Sequence, residues 1–284
     1  MDPIVLLVLT AAALLHASWH ALIKANADQV IAIGGMNITT TMICGLLMFI
    51  APPLPSLAYG VLAISVLIHF GYKVALARLY RDTQLSLAYP LARGLCPILA
   101  TLIAFAFLGE RPGWVSLFGI CMISLGVCFL VTDGLQKKVG AFIFTLAAFA
   151  AATVALYSVI DAYGVRIGQS AFSFTTHLVF WDGLVFIAYA LYATKGSAMQ
   201  AWYIDWKNTL LTGILGLTSF AIFIWSLLHA PVGSVTAIRE VSIVFSVLIG
   251  AIFLKEAISA IRWIGVACIS VGVFLIAFGK VGNF

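Results

Sequence analysis

Residues 85–111 read LSLAYPLARGLCPILATLIAFAFLGER. The run is apolar over more than twenty positions, the length a helix needs to cross a ~30 Å hydrocarbon layer at ~1.5 Å per residue. Its first half nonetheless carries Arg93, bracketed by Pro90, Gly94 and Pro97. An arginine in lipid costs at least ~2.5–3.5 kcal/mol, so it must face a partner or a water-filled cavity. Each proline removes a backbone donor and is expected to bend the helix, leaving carbonyls free beside the charge. A broken membrane helix with a buried cation reads as a binding site.

The rest of the chain belongs to the same environment. Of its 284 residues 63% are hydrophobic and 9% charged, against ~25% charged in soluble globular proteins. No segment is polar enough to fold as a separate soluble domain. The first twenty-four residues lack a basic leader and run as long as a full span, so a cleavable signal peptide is not expected. The net charge of +5 is scattered, which argues against a nucleic-acid partner. The five cysteines lie in apolar runs without C-x-x-C spacing and read as small buried hydrophobes. No cofactor or metal is expected.

Hydropathy divides the chain into ten spans, at about 4–23, 31–50, 57–80, 86–108, 114–131, 140–165, 171–193, 207–229, 233–254 and 261–279. Short connections imply a compact all-α bundle. Sliding the sequence by 146 positions places Arg93 on Arg239 and Glu110 on Glu256. The same shift lays 119–127 (GICMISLGV) on 265–273 (GVACISVGV). The expected organisation is therefore two five-helix repeats, 1–134 and 135–284. Five is odd, so the two copies must enter the membrane from opposite sides, an inverted repeat of the kind that builds alternating-access transporters. Arg93 and Arg239 then straddle the midplane and face one cavity from its two sides. The glycines and serines of the fifth and tenth spans read as close-packing surface.

Other polar residues inside spans extend the candidate site. Lys73, beside Tyr72 on the third span, lies at the depth of Arg93; snorkelling to the interface is the competing reading. His16 and His20 share a helical face adjoined by Trp19. An H-x-x-x-H pair can hold zinc, but no third ligand stands nearby, so cavity lining or proton titration fits better. His69 is placed to join them. Asp182, near the middle of the seventh span with His177 upstream, is a candidate proton carrier or a structural partner for a neighbouring helix. Glu240, next to Arg239, is a further proton-coupling candidate and could serve in a structural ion pair within the bundle. Asp161 lies nearer a helix end, where water is expected to reach it. Tyr89, Tyr157, Trp225 and Thr236 are expected to line the cavity from the fourth, sixth, eighth and ninth spans.

With ten spans, two inverted halves, a fourth span ending LGERP (108–112) and an echo LKEAI (254–258), the chain resembles the drug/metabolite transporter superfamily, specifically its EamA-like branch. The first-span phrase HASWHALIK (16–24) is similar to the HA-x-W-N-x-x-x-K phrase of some members, with His20 in place of asparagine. The resemblance implies a cavity lined by spans one, three, four, six, eight and nine, with five and ten peripheral. It also implies transport of small metabolites or amino acids by alternating access. Arg93, Arg239 and Lys73 resemble basic residues that hold phosphate in the triose-phosphate translocator branch. The membrane glutamate of the small multidrug exporters is missing from this first span. Basic residues cluster after odd-numbered spans, which places both termini outside, whereas the resemblance places both in the cytoplasm; orientation stays open.

These readings point to a secondary transporter in the inner (cytoplasmic) membrane, surrounded by lipid, for a small solute with an anionic group, such as an amino acid, organic acid or phosphonate-like compound. Arginine's planar fork suits such groups. The alternatives are a proton-coupled exporter of cationic or hydrophobic drugs and a membrane receptor that moves nothing. The oligomeric state is open, with a homodimer as one candidate. An intramembrane enzyme is not expected, because G-x-S-x-G, H-E-x-x-H and paired aspartates in a polar loop are all missing.

Overall fold

The computed structural model describes residues 1–82, 93–134, 140–253 and 259–279. Twelve helices fill this part of the chain: α1 (Pro3–Lys24), α2 (Gln29–Leu47), α3 (Ser56–Asp82), α4 (Cys96–Leu108), α5 (Trp114–Gly134), α6 (Ala141–Gly168), α7 (Ala171–Ala193), α8 (Ser197–Ile204), α9 (Trp206–His229), α10 (Val232–Arg239), α11 (Val241–Phe253) and α12 (Ala260–Phe278). Among the described residues eight of them are long and apolar enough to cross a membrane. The protein is an all-α, multi-pass membrane protein. The expected fourth span is described only from Arg93 on, and the expected ninth is split into α10 and α11 at Glu240.

Local signals set the helix ends. The Asp2 carboxylate accepts from Ile4 N at 2.7 Å, with Pro3 in the first turn of α1, and Asp28 accepts from Val30 N and Ile31 N to start α2. Pro97 does not bend a continuous helix as expected. It sits in the first turn of α4, where a missing N–H costs nothing. Gly109 closes α4 in the left-handed region at φ 69°. The eight-residue α8, in the connection between the seventh and eighth spans, was not among the expected elements; it is too short to show in a hydropathy reading.

Most of the strongest helix contacts join the first 134 residues to the rest. α3 packs on α6, α1 on α9, α2 on α7, α4 on α6 and α10, and α1 on α10 and α11. α5 and α12 pack mainly on each other. A Cβ added to Gly126 would lie 2.6 Å from the carbonyl oxygen of Gly265, and one on Gly119 would lie 2.7 Å from that of Gly272. Only glycine admits backbones this close.

Candidate solute-binding site

A cavity of ≈ 100 Å³ opens among α1, α2, α3, α6, α7, α9 and α10, which is room for several waters or a small solute. The sequence places its walls by helical spacing. α3 presents His69, Tyr72, Lys73 and Leu76 within two turns, and α1 presents His16 and Trp19 three residues apart. α6 contributes Tyr157, α7 Asp182, α9 Ser219 and Phe220, and α10 Arg239. α2 adds Asn37 and Thr40. Spans two and seven thus line the cavity, although the family resemblance did not assign them to it, and no described residue of the fourth span lines it.

Ion pairing separates the two arginines. Arg93 is 1% exposed and is turned onto Glu240: its Nε lies 2.9 Å from Oε2 and its Nη2 2.7 Å from Oε1. It does not line the cavity. Its Nη1 lies 3.4 Å from His16 Nε2, so His16 stands between Arg93 and the open space. Arg239 does line the cavity at 4% exposure. Its Nη2 donates to the Tyr157 hydroxyl at 2.7 Å, and its guanidinium carbon sits 4.2 Å from the centre of the Phe223 ring. Among the described residues its Nε meets no hydrogen-bond partner. The 146-position self-alignment of the sequence accounts for the difference. The position 146 before Glu240 is Gly94, so the carboxylate that neutralises Arg93 has no counterpart for Arg239.

Lys73 does not snorkel. It is clamped between Asp182 and the Asn37 amide oxygen, with the Phe186 ring 5.6 Å away. Asp182 is thereby paired, but its Oδ1 lacks a partner among the described residues and the side chain faces the cavity. His16 and His20 are neighbours as expected, with Nε2 atoms 3.2 Å apart. Trp19 Nε1 donates to His16 Nδ1, and the Tyr80 hydroxyl lies 2.7 Å from His20 Nδ1, placing His20 behind His16 and away from the cavity.

Other expectations fall elsewhere. The Thr236 hydroxyl donates to the Val232 and Gly233 carbonyls of its own helix. Trp225 packs against the core and the His229 ring. Neither lines the cavity. Tyr89 lies outside the described residues. Asp161 is fully buried, which corrects the expectation that it reaches water; it accepts from the Ser65 hydroxyl and lies 3.0 Å from His69 Nε2. Asn37 and Thr40, an amide and a hydroxyl, carry no charge that would mark them in the sequence. The run NITTT (37–41) inside an apolar span was the available signal.

Residues 140–278 match the EamA-like transporter family. No curated protein matches the chain. Among solved structures, a crystal structure described only as that of a protein superposes on 98% of this chain and 99% of its own at a TM-score of 0.72. At 16% identity that likeness shows the fold alone.

Proposed function

We propose, proceeding from the membership of residues 140–278 in the EamA-like transporter family, part of the drug/metabolite transporter superfamily, that the protein is a secondary carrier of small solutes bearing an anionic group. The family is one of membrane transporters. The observation that carries the solute class is Arg239, a buried cation that lines the cavity without a paired carboxylate among the described residues. A guanidinium in that position offers charge and directed donors to a carboxylate or phosphate. The unpaired Oδ1 of Asp182 in the same cavity adds an acceptor. A solute that is anionic at one end and a donor at the other, such as an amino acid, uses both.

Alternating access is the mechanism that fits. The lining of α1, α2 and α3 comes mostly from the ends nearest Lys24, Gln29 and Asp82. At the opposite end Arg166 lies 2.8 Å from Glu110 and donates to the Leu227 and Ala230 carbonyls. Glu110 also accepts from Val232 N, so that end is held shut across α4, α6, α9 and α10. Two inverted repeats, 1–134 and 135–284, would rock about the cavity. The contact pattern supports that division: exchanging the halves maps the α3–α6 contact onto α1–α9 and the Gly119–Gly272 approach onto Gly265–Gly126. An inner-membrane location agrees with this reading.

The test is a thermal-shift screen of purified protein against anionic, zwitterionic and cationic metabolites, because a solute that binds the native state raises its melting temperature. Stabilisation by anionic or zwitterionic solutes, lost in Arg239→Gln, is expected. Stabilisation by cations alone would reject the solute class.

A further inference from the structure

We propose that His69 and Asp161 form the proton-binding site of the carrier, linked through Tyr157 to the anion held at Arg239; this rests on the anionic-solute reading above. Asp161 is on α6 with 0% exposure, and His69 on α3 is the side chain that stands between it and the cavity. The imidazole Nε2 lies 3.0 Å from Asp161 Oδ2, and the Ser65 hydroxyl donates to Oδ1. On its other side the imidazole stacks on the Tyr157 ring, centroids 4.0 Å apart, and the Tyr157 hydroxyl accepts from Arg239. A carboxylate, an imidazole, a phenol and a guanidinium therefore form one contiguous array from a sealed pocket to the solute site.

An isolated ionised carboxylate in this position costs far more than a hydrogen bond returns. One proton resolves that cost. Passed from a hydronium ion in the cavity to the imidazole, it breaks one O–H bond, makes one N–H bond and leaves water behind, with an imidazolium against the Asp161 carboxylate as a pair of zero net charge. When the proton leaves, the pair carries one negative charge, and among the described residues Arg239, bonded to Tyr157, is the cation beside it with no paired carboxylate. Arg239 can then compensate the pair or hold a solute anion, but not both at full strength. Proton and anion therefore bind together, and by linkage each raises the affinity of the other.

The groups around the pair agree with this assignment. Lys73, one turn beyond His69 on α3, is neutralised by Asp182 of α7. α9 presents the uncharged Phe220 ring, perpendicular to the imidazole with centroids 5.5 Å apart. His16 of α1 also lines the cavity, but it is flanked by Arg93, whose carboxylate partner is already bidentate, so an imidazolium there would face a cation. The Asp182 and Glu240 carboxylates are each paired with a cation.

The test uses full-length protein in liposomes containing a pH-sensitive dye, with L-aspartate, L-alanine and inorganic phosphate as probes. For at least one probe, wild-type uptake is expected to carry protons inward, and its affinity to rise at least about 5-fold from pH 8 to pH 6. In Asp161→Asn and His69→Gln the ratio of protons to probe should fall close to zero and the pH dependence flatten. Ser65→Ala keeps both charges and guards against misfolding; it should shift the pH dependence without abolishing it. Unaltered proton coupling in Asp161→Asn and His69→Gln would overturn the proton site while leaving the carrier intact. Movement of none of the three probes by wild type would reject the carrier reading, and this site with it.

Discussion

Arg93 and Glu240, 147 positions apart in sequence, meet as a forked ion pair with both side chains at 1% exposure or less. The pair ties the described start of the fourth span to the break between α10 and α11. Desolvating two charges offsets most of their attraction, but removing one leaves the other buried and uncompensated. Arg93→Ala and Glu240→Ala are each expected to lower stability by about 3–5 kcal/mol, whereas the double change Arg93→Met with Glu240→Leu should recover most of that loss. Unfolding in detergent, followed by near-UV circular dichroism, checks the contrast. Equal damage from the double variant would show that the pair does more than neutralise itself.

Arg239 is expected to behave in the opposite way. Among the described residues its Nε lacks a partner and its charge has no paired carboxylate, so Arg239→Gln should leave the melting temperature unchanged or raise it. Solute affinity should fall about 10- to 100-fold, the loss of one or two charge-assisted hydrogen bonds. Tyr157→Phe removes the acceptor that holds the guanidinium and should cost a smaller factor in the same direction. Uptake kinetics in proteoliposomes measure both. Wild-type affinity in Arg239→Gln would reject the anion site.

Much of this geometry was open to reading, and the limits have physical causes. Arg93, Arg239, Lys73, His16 and Asp182 stand out in the sequence because charged or titratable groups in apolar runs need a reason to be there. Their pairings do not stand out. Lys73 finds Asp182 109 positions away and Arg93 finds Glu240 across the whole repeat, and hydropathy carries no information on which helix face meets which. One pairing was within reach, since aligning the repeats sets Glu240 on Gly94 and so leaves one arginine without a carboxylate. For Asp161, distance along a helix is a poor measure of exposure: α6 runs on for another two turns, and the α3 side chains Ser65 and His69 cover the carboxylate.

At the closed end of the bundle, Arg166 is the one cation beside the buried Glu110 among the described residues. It also satisfies carbonyls at the end of α9. Arg166→Ala should therefore cost about 3–5 kcal/mol, chiefly through the stranded carboxylate, and Glu110→Gln in that background should restore part of it. Because the same contacts hold α4, α6 and α9 together, a cysteine introduced at Leu227 should become more reactive to a membrane-impermeant thiol reagent in the Arg166→Ala protein. An unchanged labelling rate would separate the ion pair from closure of that end.

The seam between α5 and α12 gives the most local test of the two-fold relationship. Gly126 faces the Gly265 carbonyl and Gly119 faces the Gly272 carbonyl, so the neighbour that a new Cβ meets is backbone, which cannot rotate away. Gly126→Leu and Gly272→Leu, changes at positions 146 apart, should each destabilise the protein by about 1–3 kcal/mol through overpacking. The two-fold relation adds a stronger expectation: the costs should be similar, because each leucine meets the equivalent carbonyl across the same axis. Thermal unfolding of the two variants side by side decides it, and a large cost at one position with none at the other would argue against equivalent halves.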